Sequence, residues 1–111
     1  TILSGDDSLT LPFMAVGAQG VISVAANLIP RQLTKMVHAY LKGDQKGSLK
    51  LHEKYYPLFR SLFIETNPTP VKAALAMMGL VREEYRLPLV RMEPNNRREL
   101  RATLRSVGVL K

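Results

Sequence analysis

Only two stretches of this sequence have the composition of a buried β-strand, and both lie near the beginning of the chain. The first, residues 1–4, ends at Gly5, and the second, residues 21–24, is mostly apolar and β-branched. The segment between them, residues 9–16, predicts a short helix that starts late because of Pro12. A strand, a helix and a second strand in this order predict a right-handed βαβ unit with parallel strands.

Two parallel strands do not make a stable sheet by themselves, because each strand leaves an unpaired edge. Beyond Asn27 the apolar residues follow only helical spacing, so no further strand is available to complete the sheet. The fold class expected is therefore α/β, mostly helical, with the sheet part of a larger one. We expect that the chain begins inside a strand and has lost what preceded it.

Two helices are predicted in the middle of the chain. Apolar residues at helical spacing over residues 33–41 predict the first, and Gly43 is expected to end it. An apolar stripe over residues 51–63 predicts a longer second helix. Pro57 lies inside this stripe, so a kink is expected there.

Two further helices are predicted after residue 68. Thr69 is expected to cap the first of these, with Pro70 at its first position and Gly79 just past its end. An extended connector follows up to Pro94. Asn96 and Glu99 have the spacing of a capping box and predict the start of the last helix.

Composition excludes several classes of protein. With 111 residues, of which 46% are hydrophobic, the chain can bury one modest core. The absence of cysteine excludes disulfides and thiolate metal sites and is compatible with a cytoplasmic protein. His38 and His52 have no carboxylates at metal-ligand spacing, so no metal site is expected. No apolar run reaches the length of a membrane span, so no membrane partner is expected.

The net charge of +7 raises the question of nucleic-acid binding. Much of the excess lies on the predicted last helix, where residues 97–105 place four arginines on one broad face: Arg97, Arg98, Arg101 and Arg105. No aromatic residue is interleaved to stack on bases. A solvated helix face is the favoured interpretation, so no nucleic-acid partner is expected. A non-catalytic basic module that binds a polyanion or a partner protein is the alternative.

Three motifs in register carry a resemblance to a known family. They are Leu-Ser-Gly-Asp-Asp at residues 3–7, Gly-Ala-Gln-Gly-Val-Ile-Ser-Val-Ala-Ala-Asn at residues 17–27, and Asn-Pro-Thr-Pro-Val-Lys at residues 67–72. Together with the helical tail, they resemble the C-terminal end of the dihydrodipicolinate synthase family. The resemblance runs from Thr1 to about Leu110.

The resemblance implies a fold and an activity for the parent protein. It implies the last two βα units of a (β/α)8 barrel over residues 1–43 and a three-helix C-terminal extension over residues 44–111. It implies a lyase of lysine and diaminopimelate biosynthesis that condenses pyruvate with L-aspartate 4-semialdehyde through a lysine Schiff base. It implies no cofactor, a cytoplasmic location and a homo-oligomeric parent, by default a homotetramer.

The resemblance also assigns roles to individual residues. It implies that the backbone at Ile22 faces the bound pyruvate and that Gly5 lines the same pocket. It places Asp6 and Asp7 at the rim where the aldehyde would enter, whereas from sequence alone helix capping is the favoured role for both. The family's Schiff-base lysine lies on a strand that precedes this segment, so no catalytic residue is expected here and the segment alone is expected to be inactive.

One alternative keeps the fold and changes the substrate. Other pyruvate-dependent aldolases share this architecture, and most residues that would bind the acceptor aldehyde lie outside the segment. The superfamily is therefore indicated more strongly than the acceptor.

Overall fold

The computed structural model describes all residues, 1–111, and consists mainly of helices. Five α-helices follow one another along the chain: α1 (Thr10–Ala15), α2 (Pro30–Leu41), α3 (Gln45–Ser61), α4 (Thr69–Met77) and α5 (Pro94–Ser106). Two short 3₁₀ helices, Asp7–Leu9 and Ala25–Asn27, precede α1 and α2. None of these helices is long and apolar enough to span a membrane.

The two predicted strands are reduced to one parallel bridge, between Ser4 and Val21. The parallel direction is confirmed, but the predicted extent, residues 1–4 and 21–24, was wrong. Pairing stops because Asp7 begins a 3₁₀ helix and because Val24 already has helical backbone angles, φ −75° and ψ −43°. The extended segments are therefore too short for a ladder of consecutive bridges, and the chain is mostly helical, as expected, with no strand of its own.

The helices in the middle of the chain lie close to where their apolar spacing predicts them. Gly43, with φ 87°, follows α2, and Gly79, with φ 75°, follows α4, as expected for glycines at helix C-termini. Helix α3 continues through Pro57. Helix α4 begins at Thr69, and Pro68 is its N-cap residue, so the predicted cap was displaced by one residue.

The prediction for the start of the last helix was wrong. Helix α5 begins at Pro94 and not after Asn96, with Glu93 as its N-cap residue and no side-chain cap. Pro94 at the first position lacks the N–H that would otherwise need a partner. The Asn96 side chain instead donates from Nδ2 to Oε2 of Glu65 at 3.1 Å, so it forms no capping box.

The chain divides into two compact units, Thr1–Tyr56 and Pro57–Lys111, and the boundary lies within α3. In the first unit, α1 and α2 pack together over buried apolar side chains that include Leu11, Met14, Leu33 and Met36. In the second unit, α4 packs against α5, and Ala73, Ala74, Leu100 and Leu104 are fully buried.

Candidate functional site

The two extended segments of the first unit lie side by side and are joined by backbone hydrogen bonds. Gln19 N donates to Ile2 O at 2.9 Å, Ser4 N to Gly20 O at 2.9 Å, and Ile22 N to Ser4 O at 2.8 Å. Because Gly5 follows Ser4 directly, this pairing brings the backbones of Gly5 and Ile22 next to each other. These are the two positions for which the family resemblance implies pyruvate contacts.

The loop after the first extended segment is held by its own side chains. Ser4 Oγ donates to Asp6 O at 2.7 Å and accepts from Asp6 N at 3.1 Å. The Asp6 carboxylate accepts from Ser8 N at 2.7 Å and from Ser8 Oγ at 2.6 Å. Asp6 is therefore the N-cap residue of the short helix Asp7–Leu9, which confirms the capping role that the sequence favoured for it.

Asp7 binds the other loop instead of its own. Its Oδ1 accepts a short hydrogen bond from Ser23 Oγ, and its Oδ2 accepts from the backbone N–H groups of Val24 at 3.1 Å and Ala25 at 3.0 Å. Ser23 Oγ in turn accepts from Ala26 N at 2.8 Å. The buried Asp7 carboxylate thus caps the second 3₁₀ helix, Ala25–Asn27, and fixes the loop after residue 4 to the loop after residue 22.

The four residues singled out by sequence differ in exposure. Gly5 is exposed, and a Cβ added there would meet nothing within 4 Å. Ile22 is 70% exposed. Asp6 is half-buried, whereas Asp7 is only 1% exposed. The two carboxylates that the resemblance placed together at the rim therefore differ in burial.

A cavity of about 370 Å³ lies between the paired segments and α2. Its lining comes from both extended segments and from one face of the helix, and it includes Leu3, Val21, Ser23, Leu33, Val37 and His38. Ile22 is not among the lining residues, because in an extended chain its side chain points to the side opposite those of its neighbours Val21 and Ser23. Gly5, which has no side chain, does not line the cavity either.

The second unit contains a separate charged cluster. Arg97 Nη1 donates to Glu83 Oε1 at 2.6 Å, and the Tyr85 hydroxyl donates to the same oxygen at 3.1 Å. Lys72 Nζ lies 5.5 Å from the centre of the Tyr85 ring. These contacts attach the connector between α4 and α5 to both helices.

The pKa values in this cluster move in opposite directions. Burial alone would raise the pKa of Glu83, but the hydrogen bonds from Arg97 and Tyr85 and the charges of Arg97 and Arg91 outweigh it and lower that pKa. Burial, together with the hydrogen bond to Glu83 and its charge, raises the pKa of Tyr85 to about 12. Elsewhere, burial lowers the pKa of His52 and the charge of Glu53 opposes this.

The hydrogen bond between Ser23 and Asp7 was not predicted from the sequence. A serine two residues before the Ala25–Asn27 helix was the available signal, since serine is a frequent partner at helix N-termini. No group of three His, Cys, Asp or Glu side chains lies close enough together to hold a metal ion.

Comparison with known proteins identifies relatives over nearly the whole chain. The sequence model of the dihydrodipicolinate synthetase family matches residues 1–107. A 4-hydroxy-tetrahydrodipicolinate synthase from Koribacter versatilis is 52% identical over 111 residues, which are 100% of this chain and 37% of the relative.

Solved structures give the same result. The crystal structure of dihydrodipicolinate synthase from Aquifex aeolicus matches with a TM-score of 0.96 and 50% identity, over 98% of this chain and 37% of that one. The 4-hydroxy-tetrahydrodipicolinate synthase from Methylacidiphilum fumariolicum matches with a TM-score of 0.95 and 55% identity, over 96% of this chain and 36% of that one. The chain thus spans less than two fifths of the length of these relatives.

Proposed function

Because the chain belongs to the dihydrodipicolinate synthetase family, we propose that it is the C-terminal part of a cytoplasmic lyase that condenses pyruvate with L-aspartate 4-semialdehyde through a lysine Schiff base. The product would enter lysine and diaminopimelate biosynthesis. The observation that carries this proposal is the identity of about half of all residues with 4-hydroxy-tetrahydrodipicolinate synthases, in register over the whole chain.

In this proposal, residues 1–43 are the last two βα units of a (β/α)8 barrel and residues 44–111 are a helical extension. Support comes from the parallel bridge between Ser4 and Val21, with α1 between the bridged segments and α2 after the second. Active sites of such barrels lie on the loops that follow the strands. In the proposed barrel, the loops fixed together by Asp7 would be in that position.

The proposed pyruvate contacts are made by the backbones of Gly5 and Ile22. Support comes from the hydrogen bond that joins Ile22 N to Ser4 O at 2.8 Å and from the open space around Gly5. A residue without a side chain at position 5 lets a small carboxylic acid approach the main chain closely. Asp6, half-buried and directly after Gly5, would lie near the entering aldehyde, and Asp7 would hold the two loops in place.

The lysine that forms the imine is proposed to lie outside this chain. A Schiff-base lysine needs to be desolvated or close to another cation, because only the neutral amine attacks a carbonyl. Six of the seven lysines here are exposed, and the seventh, Lys72, is half-buried beside the Tyr85 ring. None lies in the loops around Gly5 and Ile22.

Gly5→Val in the complete protein tests the proposed pyruvate contact. The added side chain would occupy the space through which pyruvate reaches the backbone, so we expect KM for pyruvate to rise at least about tenfold, a loss of ~1.4 kcal/mol. Ala102→Val creates the same valine side chain, by adding two methyl groups at an exposed position of α5, and is expected to leave KM unchanged. Equal KM values in both variants would contradict the contact.

The acceptor is tested separately. We expect the complete protein to consume L-aspartate 4-semialdehyde in preference to sugar-derived aldehydes when each is offered with pyruvate. Preference for a sugar-derived aldehyde would assign another pyruvate-dependent aldolase activity. The complete protein is further proposed to be a homotetramer, which analytical ultracentrifugation would show as a species of four times the chain mass.

A further inference from the structure

A second cavity, of about 380 Å³, lies on the first unit between α2 and α3, away from the loops around Gly5 and Ile22. We call it the lysine cleft, because three of its lining residues are lysines. The lining residues are Lys35, Ala39, Asp44, Gly47, Lys50, Leu51 and Lys54. Its volume lies within the range of small-molecule sites in proteins, roughly 300–1,000 Å³.

The three lysines come from two helices. Lys35 lies on α2, and Lys50 and Lys54 lie one turn apart on α3. No carboxylate pairs with any of them, since the one salt bridge in the protein joins Arg97 to Glu83. Lys54 Nζ lies 5.2 Å from the centre of the Tyr55 ring, an attractive contact that leaves its positive charge uncompensated.

Asp44, the only acidic residue of the cleft, already accepts hydrogen bonds from the backbone. Asp44 Oδ1 accepts from Gly47 N at 2.9 Å, and Asp44 O accepts from Ser48 N at 3.1 Å, which makes Asp44 the cap of α3. A Cβ on residue 47 would lie 2.1 Å from Asp44 Oδ2, so glycine at this position leaves room for the carboxylate to cap the helix. The capping carboxylate is thereby directed at the backbone.

We propose that the lysine cleft binds a small organic polyanion, one that carries a diphosphate or several carboxylates. Three lysines that line one concavity without a carboxylate partner repel one another, and a multiply charged anion bound there would reduce that repulsion. Ammonium groups act as point charges with rotatable donors and can donate hydrogen bonds to either kind of oxyanion. Ala39, Leu51 and the main chain of Gly47 provide a less polar surface for the carbon skeleton. This inference does not depend on the function proposed above.

Titration of the protein with inorganic pyrophosphate and, separately, with citrate tests the proposal. We expect saturable binding at one site per chain by calorimetry, with NMR shift changes centred on the amides of Ala39, Gly47 and Leu51. Tighter binding of pyrophosphate would assign a phosphorylated ligand, and tighter binding of citrate would assign a polycarboxylate. Binding of neither probe at millimolar concentration would overturn the proposal.

Two sets of charge-matched variants separate a site from a general effect of positive charge. Lys35→Ala/Lys50→Ala/Lys54→Ala removes the cleft lysines and is expected to weaken binding about tenfold or more. Arg82→Ala/Arg86→Ala/Arg101→Ala removes the same charge from exposed positions of the second unit, none of which lines the cleft, and should change affinity less than about threefold. Equal weakening in both sets would overturn the proposal.

Asp44→Asn is expected to change the affinity for the anion in the opposite direction. Asparagine caps helices about as well as aspartate, so the helix content measured by circular dichroism should not change. Removal of the one negative charge in the cleft should strengthen binding about threefold. Unchanged or weaker binding in this folded variant would place the anion elsewhere.

Discussion

At the scale of single residues, Asp6 and Asp7 are adjacent in sequence but have different structural roles. Asp6 caps the short helix of its own loop and is partly exposed to water. Asp7 is 1% exposed and accepts hydrogen bonds from Ser23, Val24 and Ala25 of the other loop. A buried carboxylate is stable only when hydrogen-bonded in this way. The relative position of the two loops therefore depends on Asp7.

The first prediction compares the two carboxylates. Asp7→Ala removes the acceptor for two backbone N–H groups and the Ser23 hydroxyl, and we expect the free energy of unfolding to fall by about 3 kcal/mol. Asp6→Ala removes a helix cap that is partly exposed and should cost about 1 kcal/mol. Urea unfolding of both variants measures the difference. A cost for Asp7→Ala no larger than that for Asp6→Ala would contradict the assigned role.

Part of this site could be predicted from the sequence. The proximity of Gly5 and Ile22 follows from two apolar segments joined by a short helix, since such segments pair in parallel. The hydrogen bond between Asp7 and Ser23 could not be predicted, because an aspartate after a strand caps its own helix more commonly than a helix that begins eighteen residues later. Local propensity therefore suggested the same role for Asp6 and Asp7.

The cluster around Glu83 predicts a dependence of stability on pH. The pKa of Glu83 is lowered in the folded protein. Its contribution to the free energy of unfolding is therefore present above the ordinary glutamate pKa of 4.5 and is lost as the pH falls through the lower pKa of the folded state. Arg97→Met removes the main partner of Glu83. We therefore expect acid unfolding of this variant to begin at a higher pH than in the native protein, as measured by circular dichroism. Arg101→Met, at an exposed position of the same helix, is the matched control.

Tyr85 gives the corresponding prediction at alkaline pH. Because its pKa is raised to about 12, the stability it contributes is present below the ordinary value of 10.0 and is lost as pH rises from there to about 12. Glu83→Gln removes the nearby negative charge, and the tyrosinate absorbance of Tyr85 should then appear at lower pH. Absorbance curves that coincide for the two proteins would contradict this coupling.

At the scale of secondary-structure elements, helices were predicted more accurately than strands. Helices α2 and α3 are held by contacts within one segment, so apolar spacing suffices to locate them, and Gly43 marks the end of α2. A strand needs a partner along its whole length, and here pairing ends after Ser4 and Val21. The start of α5 was misplaced because Pro94, a good first helical residue, is a stronger signal than the spacing of Asn96 and Glu99.

The end of α4 provides a test at this scale. Gly79 has φ 75°, a left-handed conformation that costs about 1 kcal/mol for any residue with a Cβ. Gly79→Ala should therefore lower the free energy of unfolding by about 1 kcal/mol, although nothing lies within 4 Å of the added methyl group. Gly5→Ala has the same open surroundings without a positive φ and should cost less. Thermal unfolding of both variants measures this.

At the scale of the whole molecule, the chain spans 37% of a relative to which it is similar over its full length. Each compact unit has its own buried apolar residues, yet Ile2, Val16 and Ile22 of the first unit are 65%, 86% and 70% exposed. Exposed apolar side chains, together with extended segments that pair at only one bridge, are typical of a surface that another part of a protein covers. The proposed barrel would bury this surface.

The same comparison leads to a prediction about catalysis. If the imine-forming lysine lies outside these residues, the 111-residue chain treated with pyruvate and borohydride should gain no mass, because its lysines are exposed or stacked on an aromatic ring. The complete protein under identical conditions should gain one reduced pyruvate per chain. Mass spectrometry of peptides then locates the modified lysine. Modification of Lys72 or of any lysine in the cleft would contradict the proposal, since it would place the nucleophile within this chain and require a desolvated amine where the structure has none.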